Sequence, residues 1–442
     1  MSFSQAENYL LGTINETISR RLPYKLERMN AFAIELGQPQ LAYRSVHVAG
    51  TSGKGSTSTM IAAALSASGL RVGLHTKPHL RSMTERARID GVPVAPERFG
   101  ALLGEMMPAI ERVAASHGRP TYYETLLALA FQYFAQERVD VAVIEVGLGG
   151  RLDGTNVIVP EVGVITSIGF DHMDVLGESI EEIAGEKAGI AKPGVPLVVA
   201  VEDPSALAVI ETYARAIGAP VVRVAEVGRI ESVAASRAGQ QFVVTTERAT
   251  YNLAVPVLGE FQRSNALTAI VALEALPDVL RPTPDQVERG LAQVAIPGRM
   301  ELFAGHPSVL FDIAHNAEKA QHLVASLSER FPERRFSFVV AIGESKDAAE
   351  ILRALASLRA NFTFTGFEAA GRHAIRPTRL AAIAESIGAW GRAIEDPVDA
   401  LAIARRTAAS DDIVVVTGST FVVAELRAWW LQNAIETQTL HV

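Results

Sequence analysis

Ser45-Val46-His47-Val48-Ala49-Gly50-Thr51-Ser52-Gly53-Lys54-Gly55-Ser56-Thr57 is the stretch on which the fold turns. A short β-rich run leads into a glycine loop, and an apolar segment of helical period follows, which is the context a phosphate-binding loop requires. Glycines let successive backbone N–H groups turn towards one anion, the start of the helix adds its positive dipole end, and Lys54 brings a point charge to the outer phosphates. Ser56 is placed to touch the Mg²⁺ that accompanies a nucleotide. The spacing is tighter than GxxxxGK[ST], because the first Gly of that pattern would fall on Val48. A glycine–serine turn ahead of a helix is the plainer alternative.

Outward from this loop, apolar runs alternate with segments of helical period, as in stacked βαβ units. Strands are predicted at Ser45 to Ala49, Arg71 to Thr76, Val139 to Val146, Val162 to Ile168 and Pro196 to Val201. Helices are predicted at Ser56 to Ser68, Pro96 to Ala115, Tyr122 to Gln136 and Ser179 to Ala191. Continuous apolar strands suit a parallel sheet covered on both faces. Val227 to Leu258 has another texture and predicts an antiparallel hairpin beside or at the edge of that sheet. After helices at Ser264 to Leu276 and Pro284 to Val294, Ile296-Pro297-Gly298-Arg299 reads as a boundary. Beyond it, strands are predicted at Ser308 to Ile313, Arg335 to Ile342, Asn361 to Phe367 and Asp412 to Thr417, enough for one further α/β domain.

Composition narrows the function. The chain has 442 residues, 48% hydrophobic and 20% charged, so it is a compact protein of two or three domains. Its formal charge of −8 offers no basic surplus for nucleic acid or anionic lipid. There is no cysteine, so a bound metal must be held by oxygen or imidazole ligands. The N-terminal segment through Leu22 has no apolar signal core, and no stretch reaches the roughly 20 apolar residues that cross a bilayer. A cytoplasmic monomer that binds small molecules, with no nucleic acid and no membrane, is expected.

Open parallel sheets bind ligands at the carboxyl ends of their strands. Glu145 stands there, before a glycine-rich turn, and His172 stands just past another strand, in Gly169-Phe170-Asp171-His172. A carboxylate and an imidazole from neighbouring strand ends suit a divalent cation held against a nucleotide. Taken singly, a strand-end Glu is usually solvated and a lone His structural. Lys187, by residue type alone, reads as a surface lysine. His315 and Asn316 end a strand of the second domain, a reasonable place for nucleotide contacts.

As a set, these residues resemble the folylpolyglutamate synthase/dihydrofolate synthase family, a branch of the Mur ligase superfamily, over nearly the whole chain. The resemblance runs in order through Leu26-Glu27-Arg28-Met29, Leu36 to Gln40, His47 to Ser56, Glu145 to Asp153 and Ile165 to Ile168 with Asp171-His172. It continues through Glu186 to Ile190, Pro297 to Glu301, Asp312 with Ala314-His315-Asn316, and Thr417-Gly418-Ser419. It implies a P-loop parallel-sheet ATPase domain, 1–296, followed by a smaller Rossmann-like α/β ligase domain, 297–442. The activity implied is ATP-dependent amide ligation, in which a substrate carboxylate attacks the γ-phosphate and an amine then displaces phosphate from the acyl phosphate.

The resemblance also implies site residues. Gly50, Thr51, Ser52, Gly53, Lys54, Gly55 and Ser56 cradle ATP; Arg299 and Asp312 match residues that contact the nucleotide from the linker and the second domain, and His315 and Asn316, in the same motif, are candidates for nucleotide binding. Ser56, Glu145, His172 and Lys187 match Mg²⁺ ligands, Lys187 as a carbamate serving a second Mg²⁺; Lys54, His172 and Lys187 carry the catalysis. L-Glutamate and a pterin-type carboxylate of the folate or dihydropteroate kind are the implied substrates. One departure stands out: the family commonly has Thr-Ser-Pro-His after its second strand, with the Ser helping to hold the first Mg²⁺. This chain has Thr76-Lys77-Pro78-His79. A protonated lysine has no lone pair for a metal. Lys77 leaves open a divergent Mur-type ligase for another carboxylate, or a nucleotide-binding module without turnover.

Overall fold

The structure, a computed structural model, describes residues 1–14, 26–236, 239–358, 360–369 and 372–438. Residues 15–22 of the N-terminal segment and 237–238 of the expected hairpin lie outside these. The described chain divides into two compact units, Met1–Pro256 with Gln262–Val294, and Val257–Phe261 with Ala295–Val442.

In the first unit, β1 (Arg44–Ala49), β2 (Val72–His75), β3 (Arg88–Ile89), β4 (Val92–Pro93), β5 (Val141–Glu145), β6 (Val162–Ile165), β7 (Leu197–Val199) and β8 (Val221–Arg223) form one sheet. Its order is β4-β3-β2-β5-β1-β6-β7-β8. From β2 to β8 all pairings are parallel, and β3 with β4 adds an antiparallel hairpin at one edge. Every residue of β2, β5, β6 and β7 is buried, as a sheet covered on both faces demands. One face packs on Pro96–His117 and Tyr122–Gln136, with Phe99, Phe131 and Phe134 wholly buried. Helices Ile180–Ala188 and Pro204–Ile217 build a separate cluster with Ile165, Leu197 and Val199. Because β1 lies between β5 and β6, the loop that leaves β1 is flanked by the carboxyl ends of both.

The hairpin expected near 227–258 is instead a separate sheet of three antiparallel strands, β9 (Gly228–Ser236), β10 (Gly239–Thr246) and β11 (Thr250–Val255). In β11, Tyr251, Leu253 and Val255 are buried while the residues between them are exposed. That alternation suits a sheet with one wet face and cannot serve in a sheet buried on both.

The second unit holds β12 (Glu301–Phe303), β13 (Ser308–Phe311), β14 (Phe336–Val340), β15 (Ala360–Phe364), β16 (Gly391–Ala393) and β17 (Ile413–Thr417), in the order β12-β13-β17-β14-β15-β16. All neighbours are parallel except β12 with β13. Phe338, Phe362 and Phe364 stack along its core at centroid spacings of 5.5 and 5.8 Å. Among the described residues, no helix is long and apolar enough to cross a membrane.

Candidate active site

The loop after β1 is shaped by two left-handed glycines. Gly50 has φ 143° and Gly53, which caps the helix Lys54–Ala67, has φ 82°. A Cβ on Gly50 would lie 2.0 Å from Thr166 Oγ1, and one on Gly53 would lie 2.4 Å from Asn265 Oδ1. Both positions therefore demand glycine for backbone and for space. The loop is clamped from the end of β6: Thr51 N donates to Ser167 O at 2.9 Å and Ser52 N to Ser167 Oγ at 2.8 Å. Thr166 Oγ1 donates to Ser52 O at 2.6 Å, and the Thr51 hydroxyl bonds both Gly169 O and Gly169 N.

Lys54 Nζ donates to the carbonyls of Gly50 at 2.7 Å and Thr51 at 3.0 Å, which keeps the ammonium over the loop. Ser52 Oγ and Thr57 Oγ1 are buried with no hydrogen-bond partner. A triphosphate, rich in acceptor oxygens, is the kind of ligand that satisfies two such hydroxyls. The residues thus fit a nucleotide phosphate chain.

Glu145, the last residue of β5, is buried, and its Oε2 lies 3.3 Å from the place a Cβ would take on Gly55. The same oxygen accepts Lys77 N–H at 3.0 Å. Ser56, at the start of the helix that follows the loop, is buried as well, and Glu145 and Ser56 both carry hard oxygen atoms of the kind Mg²⁺ takes. Lys187, in Ile180–Ala188, is only 3% exposed, against the surface position that its residue type suggests. Its Nζ donates to Gly50 O at 3.2 Å, so helix and phosphate loop meet at this lysine. Burial first, and then the positive charge of Lys77, push the Lys187 ammonium down to about 8.

His172 is placed differently. Its side chain is 45% exposed, its backbone is left-handed at φ 52°, and its Nε2 is 3.8 Å from Asp171 Oδ1. Among the described residues, no group of three His, Asp or Glu side chains converges as a metal site. Gly50 to Ser56, Glu145 and Lys187 are thus brought together, while His172 stands in an exposed turn.

The second unit arranges its own four residues. Asp312 is buried just past β13; its Oδ2 accepts Met300 N–H at 3.0 Å and its Oδ1 accepts Ala314 N–H at 2.9 Å. Burial raises its carboxyl above the usual range, and Arg299 is the charge that opposes this most. His315 Nδ1 lies 2.9 Å from Ile313 O, and its Nε2 lies 3.2 Å from Lys319 Nζ. Those partners require Nδ1 to carry the proton and Nε2 to accept from the ammonium. Burial, and then the charge of Lys319, push the His315 imidazole down to about 3, so it is neutral at pH 7. Asn316 Oδ1 accepts Lys319 N–H at 2.9 Å and caps the helix Ala317–Arg330.

Several contributors carry weak signals in the sequence. Thr166 and Ser167 sit in a quoted motif without an assigned role, and Asn265 approaches Gly53 from a helix more than two hundred residues away. Asp153 is another. Its carboxylate accepts from Tyr123 OH at 2.9 Å, Leu148 N at 2.8 Å, Thr155 N at 3.0 Å and Thr155 Oγ1 at 2.6 Å. Thr155 Oγ1 in turn lies 2.8 Å from Nε2 of the buried His47 in β1. The wall behind the loop is thereby fixed.

Residues 48–273 match the model of the Mur ligase middle domain, and 298–420 match that of the Mur ligase glutamate ligase domain. A dihydrofolate synthase/folylpolyglutamate synthase of Bacillus subtilis is 37% identical over 407 residues, covering 91% of this chain and 94% of that protein. The protein of the same description from Escherichia coli is 31% identical, covering 94% and 93%. The folylpolyglutamate synthase of Mycobacterium tuberculosis, solved with ADP, superposes with a TM-score of 0.89 at 32% identity, covering 97% of this chain and 98% of that one. Escherichia coli FolC in complex with DHPP and ADP superposes with a TM-score of 0.85 at 29% identity, covering 97% and 98%.

Proposed function

The chain belongs to the folylpolyglutamate synthase/dihydrofolate synthase family of Mur ligases, and from that premise we propose how its own residues conduct the reaction. It is an ATP-dependent acid–amino-acid ligase that joins L-glutamate to a folate or dihydropteroate carboxylate. The acceptor carboxylate attacks the γ-phosphate and ADP leaves; the amine of glutamate then attacks the acyl phosphate and phosphate leaves.

A carboxylate and a triphosphate repel each other, so the protein must spread negative charge and hold the reacting oxygens in line. The N–H groups of Gly53 to Ser56, the Lys54 ammonium and the unpartnered Ser52 and Thr57 hydroxyls face the phosphates in this reading. Glu145, Ser56 and His172 are the residues that would hold Mg²⁺, His172 from a turn that stands exposed in this structure. When bound, that ion neutralises charge on the phosphoryl group and orients it. Arg299, Asp312, His315 and Asn316 are assigned to nucleotide contacts; His315 would act as a neutral group and Asn316 through a side chain already capping a helix. Residues 1–296 form the ATP-binding domain and 297–442 the ligase domain of a cytoplasmic monomer.

Lys187 carries the reading. An ammonium buried against the Gly50 carbonyl, with its pKa near 8, is neutral far more often than an exposed lysine, and the neutral amine is the form that reacts with CO₂. The carbamate so formed would offer oxygen atoms to a second Mg²⁺. The test is mass analysis after incubation with ATP, Mg²⁺, L-glutamate and a panel of pterin carboxylates. A product heavier than its acceptor by one glutamyl unit, with phosphate released only when acceptor and glutamate are both present, is expected. Unconditional ATP hydrolysis, or no product from any acceptor, overturns the proposal.

A further inference from the structure

Glu301, the first residue of β12, ties two distant parts of the second unit together. Its Oε2 accepts Gly298 N–H at 2.8 Å and Arg427 Nε at 2.6 Å, and its Oε1 accepts Arg427 Nη2 at 2.8 Å. A two-pronged contact of this kind is the strong, orienting form of an arginine–carboxylate pair, and the two side chains are only 17% and 22% exposed. Arg427 comes from the helix Thr420–Gln438. Trp430, on the same face of that helix, packs against Phe303 of β12 and Phe311 of β13 at centroid distances of 6.2 and 6.5 Å.

The turn that this pair closes is strained and held from several sides. Met300 is buried with φ 49°, a backbone that a non-glycine residue keeps only where its surroundings enforce it. Gly298 O accepts Ile313 N–H at 2.9 Å, and Met300 N–H donates to Asp312 Oδ2 at 3.0 Å. Arg299 lies between these two fastened residues. Asp312 holds one side of it; Arg427, through Glu301, holds the other.

We propose that Arg427 is a positioning residue for the nucleotide: acting through Glu301, it fixes the Gly298–Met300 turn so that Arg299 meets the nucleotide in one pose. The inference rests on the assignment of Arg299 to nucleotide contacts in the ligase reading above. Without the two-pronged pair, Glu301 keeps only the Gly298 N–H and the turn is free to relax towards an unstrained Met300. The cost of ordering Arg299 then falls on nucleotide binding.

The test is a double-mutant cycle on affinity. The β,γ-methylene analogue of ATP is titrated calorimetrically, with Mg²⁺ present, into the full-length protein. Arg299→Ala should weaken binding. Arg427→Gln should weaken it about tenfold, because a misplacement of about 1 Å set by a remote residue costs up to about a hundredfold. Arg427→Lys, which keeps a charge-assisted bond to Glu301, should lose less. In the Arg299→Ala background, Arg427→Gln should change affinity by less than about twofold, whereas a merely structural loss would weaken both backgrounds equally. Unchanged affinity in Arg299→Ala or in Arg427→Gln, or full addition of the two losses, overturns the inference. Should Arg427→Gln fail to fold, Glu301→Gln, which breaks the same pair, takes its place in the cycle. Wild type unable to bind the analogue would sink the ligase reading together with this inference; binding with additive losses sinks this inference alone.

Discussion

At the scale of single residues, Lys187 sets function against stability. Its folded pKa of about 8 lies below the ordinary 10.5, so the unfolded chain binds more protons between those values and stability rises with pH across that window. Below pH 8 both states are protonated and the full penalty of the buried charge stands. In bicarbonate-free buffer at pH 7, Lys187→Met should therefore stabilise the protein, by at most on the order of 3 kcal/mol in chemical denaturation, and the gain should shrink towards pH 10. The same variant should lose at least about a hundredfold in ligation rate. Gly53→Ala should act oppositely, losing about 1–2 kcal/mol through its left-handed backbone alone, with nucleotide affinity falling as well. Gly50 to Ser56 were legible because strand, glycines and helix are contiguous in the chain. Lys187 was not legible from its type: a lysine flanked by Gly185-Glu186 and Ala188-Gly189 reads as solvated, and only the ordered family motifs reversed that reading. The Asn265 contact with Gly53 has no local signature, since nothing near either residue announces the other.

At the scale of elements, the phosphate loop depends on the strand beside it. Thr166 donates to Ser52 O and to Ala49 O, so one hydroxyl joins the end of β6 to both ends of the turn. Thr166→Val keeps the shape and removes the donor; it should cost about 1 kcal/mol in thermal or denaturant unfolding. It should also raise the KM for ATP about tenfold while leaving that for glutamate nearly unchanged. The buried strands of the main sheet were readable because a parallel sheet needs unbroken apolar runs, and each run was long enough to register. β3, β4, β8, β12 and β16 were not, because two or three residues such as Arg88–Ile89 carry no measurable period. The β9–β11 sheet was read as a hairpin at the main sheet because alternation reports a half-exposed face without saying which sheet owns it.

At the scale of the whole molecule, buried histidines set the acid limit. Burial holds His47 and His75 down at about 3 and His79 at about 4 in the first unit, and His315 at about 3 in the second. Each stays neutral when folded but gains a proton when unfolded below its ordinary 6.5, so each removes up to about 1.4 kcal/mol of stability per pH unit as the pH falls from there towards its folded value. With three of the four, the first unit should unfold at the higher pH in an acid titration followed by circular dichroism with limited proteolysis. His47→Gln should shift that transition to lower pH. Two α/β units were legible in the two successive series of alternating strands and helices, whereas the passage of 257–261 into the second unit was not, because those five residues sit between elements of the first. The saturated carboxylate of Asp153 has its own consequence for motion. The amide protons of Leu148 and Thr155 are locked onto it, and through Thr155 it reaches the strand that launches the phosphate loop. Deuterium should therefore enter those two amides only through near-global opening, which marks a rigid floor behind the turn that follows β1.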